Sequence, residues 1–150
     1  MSNAGNLKSA VKKTPDVRGH FKPGLQAVKN SGKYIVCKEE RLITGSVDID
    51  TATRHLYPEA NRWDYVIEFS NLLYYVEPHP ADANHEVDKV CAKAQWLFWW
   101  FKNRAPEIGK LRSAGLYWVQ TGKNTVLKDS RQKRKLAILG VKLVCSLKLN

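Results

Sequence analysis

The sequence predicts an α/β domain built on a mixed central sheet flanked by helices. Three observations carry that expectation. Short runs alternate apolar and polar residues in the manner of half-buried strands, most cleanly over residues 63–69. One long amphipathic stretch, residues 82–104, has helical periodicity. After the first strands, strand-like and helix-like segments take turns, and a β-α-β-α-β order requires crossovers, hence parallel neighbours in the sheet. With 150 residues, 43% hydrophobic content, five Trp, six Tyr and four Phe, the chain can bury one core.

Taken in order, residues 1–19 are polar and lysine-bearing without periodicity, and read as a flexible basic arm ahead of a single domain at 20–150. A short helix is expected from Pro23 through "GLQAVKNSG", with Gly32 near its end. Residues 34–50 read as extended, with strand alternation over 43–50, and residues 51–62 as a turn-rich connector or short helix stopped by Pro58. In the next run Trp63, Tyr65, Ile67 and Phe69 point one way, and Asp64, Val66 and Glu68 the other. Residues 72–76 form the returning strand. Ser70-Asn71 suits a two-residue hairpin turn because Asn tolerates positive φ. In that register paired residue numbers sum to 141 and set Asp64 directly opposite Glu77.

The long helix follows. Asp82 or Asn84 caps its start, Glu86 and Asp88 suit the positive end of its dipole, Lys102 and Arg104 suit the other, and Pro106 stops it. Val87, Val90, Cys91, Ala94, Leu97, Phe98 and Phe101 make its apolar face, with Lys89, Lys93, Trp96 and Trp100 in a row beside it. A strand at "AGLYWVQTG", a basic helix at "DSRQKRKLAILG" and a last strand at "VKLVCSLKL" complete the order.

Charge narrows the class of partner. The net charge is +11, and it sits at the ends: residues 1–33 carry seven Lys/Arg against Asp16, and residues 123–150 carry eight against Asp129. Basic surfaces attract polyanions through counterion release, so nucleic acid is the expected partner, DNA ahead of RNA. Cys37, Cys91 and Cys145 are odd in number and far apart, which excludes a disulfide framework or a Cys-rich zinc site. The apolar run "WLFWWF" is far shorter than the roughly 20 residues of a spanning helix. No membrane association and a cytoplasmic location are expected.

The acids of the hairpin need a physical reason. Like charges opposed across a strand pair destabilise a sheet. Protonation, a neighbouring Arg or a divalent cation would offset that cost. Mg²⁺ or Mn²⁺ is held by one or two carboxylates plus water and phosphate oxygens, so Asp64 and Glu77 are candidate metal ligands. Pro78 and Pro80 lack an amide hydrogen, which is expected to end pairing there and leave the Pro78 carbonyl free to face the ion. His79, two residues past Glu77, points to the same side and is a candidate to handle a water. A salt-bridged surface face, with Arg62 opposite His79, is the other reading of the same residues.

Asp64, a hairpin, then Glu77-Pro78-His79 resembles the PD-(D/E)xK phosphodiesterase superfamily of restriction endonuclease-like folds, whose motif is an Asp on the second core strand and (Asp/Glu)-x-Lys on the third. The element order over roughly residues 24–145 resembles its αβββαβ core. The resemblance implies a three-layer sandwich, Mg²⁺- or Mn²⁺-dependent phosphodiester hydrolysis, metal ligation by Asp64, Glu77 and the Pro78 carbonyl, and catalytic roles for Asp64, Glu77 and His79. His79 stands where the family has Lys. A basic residue of the following helix, Lys89 or Lys93, is the implied substitute, and Glu40 or its neighbour Glu39 the implied further acid. A catalytically inactive binding or assembly module of the same fold is the alternative.

Two groups stand outside that site. Lys128, Arg131, Lys133, Arg134 and Lys135 suit phosphate contacts, or simply a solvated helix face. Trp96, Trp99 and Trp100 place more aromatic surface on one helix than a single face hides, which points to a homodimer interface or to nucleic-acid stacking.

Overall fold

The computed structural model describes residues 6–81, 84–124 and 130–150. Its centre is a six-stranded mixed sheet made of β1 (Phe21–Lys22), β3 (Ile43–Asp48), β4 (Tyr65–Phe69), β5 (Leu72–Ala81), β6 (Ser113–Asn124) and β7 (Val141–Val144), in that spatial order. The first four are antiparallel to their neighbours, and β5, β6 and β7 run parallel. The parallel half has the connections that such pairing demands. α3 (Asn84–Asn103) crosses from β5 to β6, and α5 (Ser130–Leu139) from β6 to β7. The predicted α/β class with a mixed sheet is therefore present.

The layers on the two faces differ. α3 and α5, with α1 (Asn6–Lys12) and the single turn α4 (Pro106–Gly109), cover one face, where Val66, Leu73, Tyr75 and Trp118 meet Val87, Val90, Ala94 and Leu97. The other face buries Ile67, Phe69, Val76 and Val119 under a 3₁₀ segment (Gln26–Tyr34) and a parallel pair of short strands, β2 (Ile35–Cys37) and β8 (Leu147–Leu149). No helix among the described residues is long and apolar enough to cross a membrane.

The hairpin has the expected register. Ser70 and Asn71 adopt φ 49° and 66°, the positive values of the turn whose twist matches the flanking strands. Pairing then runs from Phe69↔Leu72 to Tyr65↔Val76. Trp63 departs from the alternation: it precedes the strand and buries its indole on the helix side.

Other expectations are corrected. Residues 6–19 pack rather than form a flexible arm. Leu7, Ala10 and Val11 are buried in the core, and the Leu7 amide donates to the buried Glu68 carboxylate at 3.1 Å. Asp16 anchors the following turn: it accepts from Trp100 Nε1 at 3.0 Å and from the Tyr57 hydroxyl, with Arg104 3.5 Å away. Burial alone would raise the Asp16 pKa, but these hydrogen bonds outweigh it and hold the carboxyl below its ordinary value. The helix expected from Pro23 is 3₁₀ and broken at Lys29.

β5 does not stop at the prolines. It pairs with β6 through Pro80↔Thr121, and hairpin geometry explains why. Phe69↔Leu72 closes a two-residue turn and is therefore hydrogen-bonded, so even-numbered residues of β5 turn their backbone groups toward β4. Pro78 and Pro80 are even-numbered and lie beyond the start of β4, so no ladder bond is lost. The last predicted strand is two: β7 joins the main sheet, and after a bend at Cys145-Ser146 β8 crosses to β2. Trp100 is fully buried, whereas Phe98 is exposed, so the apolar face of α3 is rotated toward the predicted lysine row. The cap expected at Asp82 lies outside the described residues.

Candidate functional site

The hairpin, α2 (Ile49–Thr53) and α3 assemble one cluster at the end of the sheet where β4 begins. Asp48, the last residue of β3, caps α2 through the Thr51 amide at 2.9 Å and its hydroxyl at 2.8 Å. The Ile49 amide donates to the Asp64 carbonyl at 2.8 Å, which fixes the Asp64 backbone just before β4. The Asp64 amide in turn donates to Glu77 Oε1 at 3.0 Å. The two carboxylates that register places opposite each other therefore share one corner. Glu77 is 0% exposed and the Asp64 side chain 24%.

Lys93, on α3, reaches back to both. Its Nζ lies 2.7 Å from Glu77 Oε2 and 3.5 Å from Asp64 Oδ1. Of the two lysines expected to replace the missing one at position 79, Lys93 occupies this place; Lys89 lies 3.7 Å from Glu86 and does not join the acids. Lys93 would lose its proton more easily through burial, but the charges of Glu77 and Asp64 outweigh this and raise its pKa. One ammonium does not balance two buried carboxylates. Burial and the Asp64 charge push Glu77 well above the usual carboxylate range, and burial raises Asp64 as well, both against the pull of Lys93.

His79 is held rather than free. Its Nε2 donates to Glu86 Oε1 at 2.9 Å, since an ionised carboxylate can only accept, and its Nδ1 lies 3.8 Å from Glu77 Oε2. Its carbonyl accepts from Trp118 Nε1 at 2.8 Å. Glu86, read from sequence only as a helix-start residue, is thus the partner that orients the imidazole. The hydrogen bond from His79 holds its pKa below the ordinary value. The signal for it was its place in the first turn of the helix that leaves β5. Asp50 belongs to the surroundings too: its charge adds to the rise at Asp64, and Arg62 and Arg54 bind it at 2.8 and 3.0 Å. Arg62 therefore faces Asp50, not His79.

The remaining candidates lie elsewhere. Glu40 is exposed in the turn before β3, at the hairpin-loop end of the sheet, because Ile43 pairs with Phe69. It is a β3 length away from Asp64 and does not complete the site. Arg131, Lys133 and Arg134 are exposed on α5, Lys135 pairs with Asp88 of α3 at 2.9 Å, and Lys128 lies outside the described residues. Asp88 and Lys93 are about 140° apart around their helix, so α5 flanks the side of α3 away from the acids. Trp100 is enclosed and stacks on Trp96 with ring centres 5.7 Å apart, so it is not interface surface; Trp99 remains 44% exposed against Tyr57.

Asp64 and Glu77 are the residues that could hold a hard divalent cation. They offer only oxygen and carry more negative charge than Lys93 offsets, and the register turns the backbone groups of Pro78 toward the β4 side. Among the described residues no group of three or more His, Cys, Asp and Glu side chains is arranged around a cation position. An ion here would be held by the two carboxylates and would complete its shell with water and substrate oxygens. The chain matches no protein-family model, no curated protein and no solved structure.

The raised carboxylates make stability depend on pH with a definite sign. The unfolded chain releases the Glu77 proton near 4.5, whereas the native state keeps it to higher pH. Stability conferred by that retained proton is full below 4.5 and is lost as pH rises through the native pKa. We expect the melting temperature of the wild type to fall across this window relative to Glu77→Gln. A difference between the two proteins that does not change with pH would refute the buried, uncompensated carboxylate.

Proposed function

We propose that the chain binds nucleic acid and hydrolyses its phosphodiester bonds at Asp64, Glu77 and Lys93. The observation that supports this most is the reach of Lys93 to both carboxylates, which supplies from α3 the two-acid, one-lysine set that position 79 lacks. The resemblance to the PD-(D/E)xK superfamily and the restriction endonuclease-like reading of the sheet rest on the same set, together with the net charge of +11. Bound Mg²⁺ or Mn²⁺ would lower the pKa of a water and offset charge on the phosphoryl oxygens. Asp64, the more exposed acid, orients that water. Lys93 places its ammonium where negative charge grows on the phosphate. His79, oriented by Glu86, presents Nδ1 to the Glu77 side and accepts a proton there when neutral.

With Mn²⁺ and mixed DNA and RNA substrates, the wild type is expected to cleave, and DNA faster than RNA. Asp64→Asn and Lys93→Gln are expected to lower the rate by about 10²-fold or more. Chelation of the metal should stop the reaction.

One observation favours a second reading. Both Glu77 oxygens already have partners inside the protein, Oε1 the Asp64 amide and Oε2 the Lys93 ammonium. A cluster closed in this way makes the chain a non-catalytic module of the same fold. That reading predicts no cleavage and a melting temperature indifferent to Mn²⁺, whereas a site that opens to metal is stabilised by it.

A further inference from the structure

On the sheet face opposite α3, the edge strand β1 and the 3₁₀ segment border a half-open surface cavity of about 180 Å³ lined by half-buried His20, by Ala27, Asp48 and Thr51, and by the exposed side chains of Lys22, Gln26 and Lys29. Its donors are unengaged: the side chains of His20, Lys22, Gln26 and Lys29 have no hydrogen-bond or ion-pair partner among the described residues. Its one acid is not. Both Asp48 oxygens already accept from Thr51. Lys29 is also held at φ 50° and ψ −127°, a conformation that non-glycine residues rarely adopt and that persists only where the surroundings impose it. The 3₁₀ segment is fixed there by the Ala27 amide, which donates to the buried Ser46 hydroxyl at 3.2 Å.

We propose that this cavity is a phosphate subsite that grips the nucleic-acid strand away from the cleavage point. Three cation-forming side chains and an amide in a space of this size suit a tetrahedral oxyanion. The position suits a strand that also reaches Asp64. His20 and Asp48 lie at the same end of the sheet as Asp64, because Phe21 pairs with Val47 and Asp48 with Tyr65. Only β3 separates β1 from β4, a sideways span of about 10 Å, to which the change of face adds the thickness of the sheet. A strand laid across this end of the sheet meets the carboxylates on one face and the cavity on the other. The assignment rests on the nucleic-acid reading of the Asp64 site for its ligand, but the cavity can be tested apart from cleavage.

The test compares the full chain with Lys22→Gln/Lys29→Gln and with a charge-matched control, Lys8→Gln/Lys38→Gln, at exposed lysines elsewhere. Inorganic phosphate is titrated while the His20 ring signals are followed by NMR, and oligonucleotide binding is measured against salt. In the wild type, phosphate should move the His20 signals, and in Lys22→Gln/Lys29→Gln it should not. The same variant should reduce the slope of log K against log salt by about 1, more than the control does. Unmoved His20 signals, or equal losses in variant and control, would overturn the subsite in favour of diffuse charge. Cleavage that needs Asp64 but ignores Lys22 and Lys29 would reject the subsite and keep the nuclease. Phosphate binding that needs both lysines, in a protein that cleaves nothing, would keep the subsite and reject the nuclease.

Discussion

Replacing Lys93 by Met is expected to destabilise the fold by about 3–5 kcal/mol near neutral pH, the range for removing one partner of a buried ion pair. The methionine fills similar space, so the loss is electrostatic. Glu77, wholly enclosed, would keep the Asp64 amide but lose its counter-charge, with a second carboxylate beside it. The native state can then escape only by holding a proton on the acids. Urea unfolding at pH 7 and pH 5 therefore separates this from a packing defect: the loss should shrink at the lower pH, and Lys93→Met/Glu77→Gln should recover most of it. A loss equal at both pH values would place the damage in packing. A neutral substitution would mean that Lys93 is not the balancing charge.

Trp100→Ala is expected to cost about as much, 3–5 kcal/mol on the scale of large aromatic truncations, roughly, for a different reason. The indole is 0% exposed, packs on Trp96 and donates to Asp16. Truncation opens a void and strips a hydrogen bond from a carboxylate almost without access to water. Because Asp16 ties the N-terminal turn to α3, amide exchange over residues 6–17 should rise more than over β5 and β6. Trp99→Ala, on the exposed flank of the same helix, serves as the comparison and should stay within about 1 kcal/mol. Equal effects from the two tryptophans would contradict the enclosure of Trp100.

What the sequence made legible was local. The register of the hairpin followed from two facts adjacent in the chain, a turn residue that tolerates positive φ and strict alternation on either side. That register alone brought Asp64 and Glu77 together. Lys93 was one of the two helix lysines that the family resemblance implied as substitutes for the missing one; which of them points inward depended on helix rotation. Phe98 of the apolar stripe is exposed and Trp100 of the flanking row is buried, since volume and local pattern do not say which aromatic finds a partner such as Asp16.

Long-range events were not legible. The docking of residues 6–12 rests on Glu68, 61 positions from Leu7, and nothing in the polar N-terminal stretch announces that partner. Glu40 was the further acid implied by the family resemblance, yet strand direction sends it to the far end of the sheet. The prolines of β5 lack amide hydrogens, but the edge those positions face is set by the hairpin register and not by the prolines themselves.

The short parallel pair of β2 and β8 has a bearing on how the chain is made. Ile35 meets Leu147, so one layer over the sheet joins segments separated by most of the sequence. At about 5–20 residues per second on the ribosome, β2 would be synthesised on the order of 6–20 s before its partner. During that interval Val28, Ile67 and Val76 lack the cover that Leu147 and Leu149 give them in the finished protein. The nascent chain thus carries a temporary apolar face, and β8, made long after β2, is the strand that closes it.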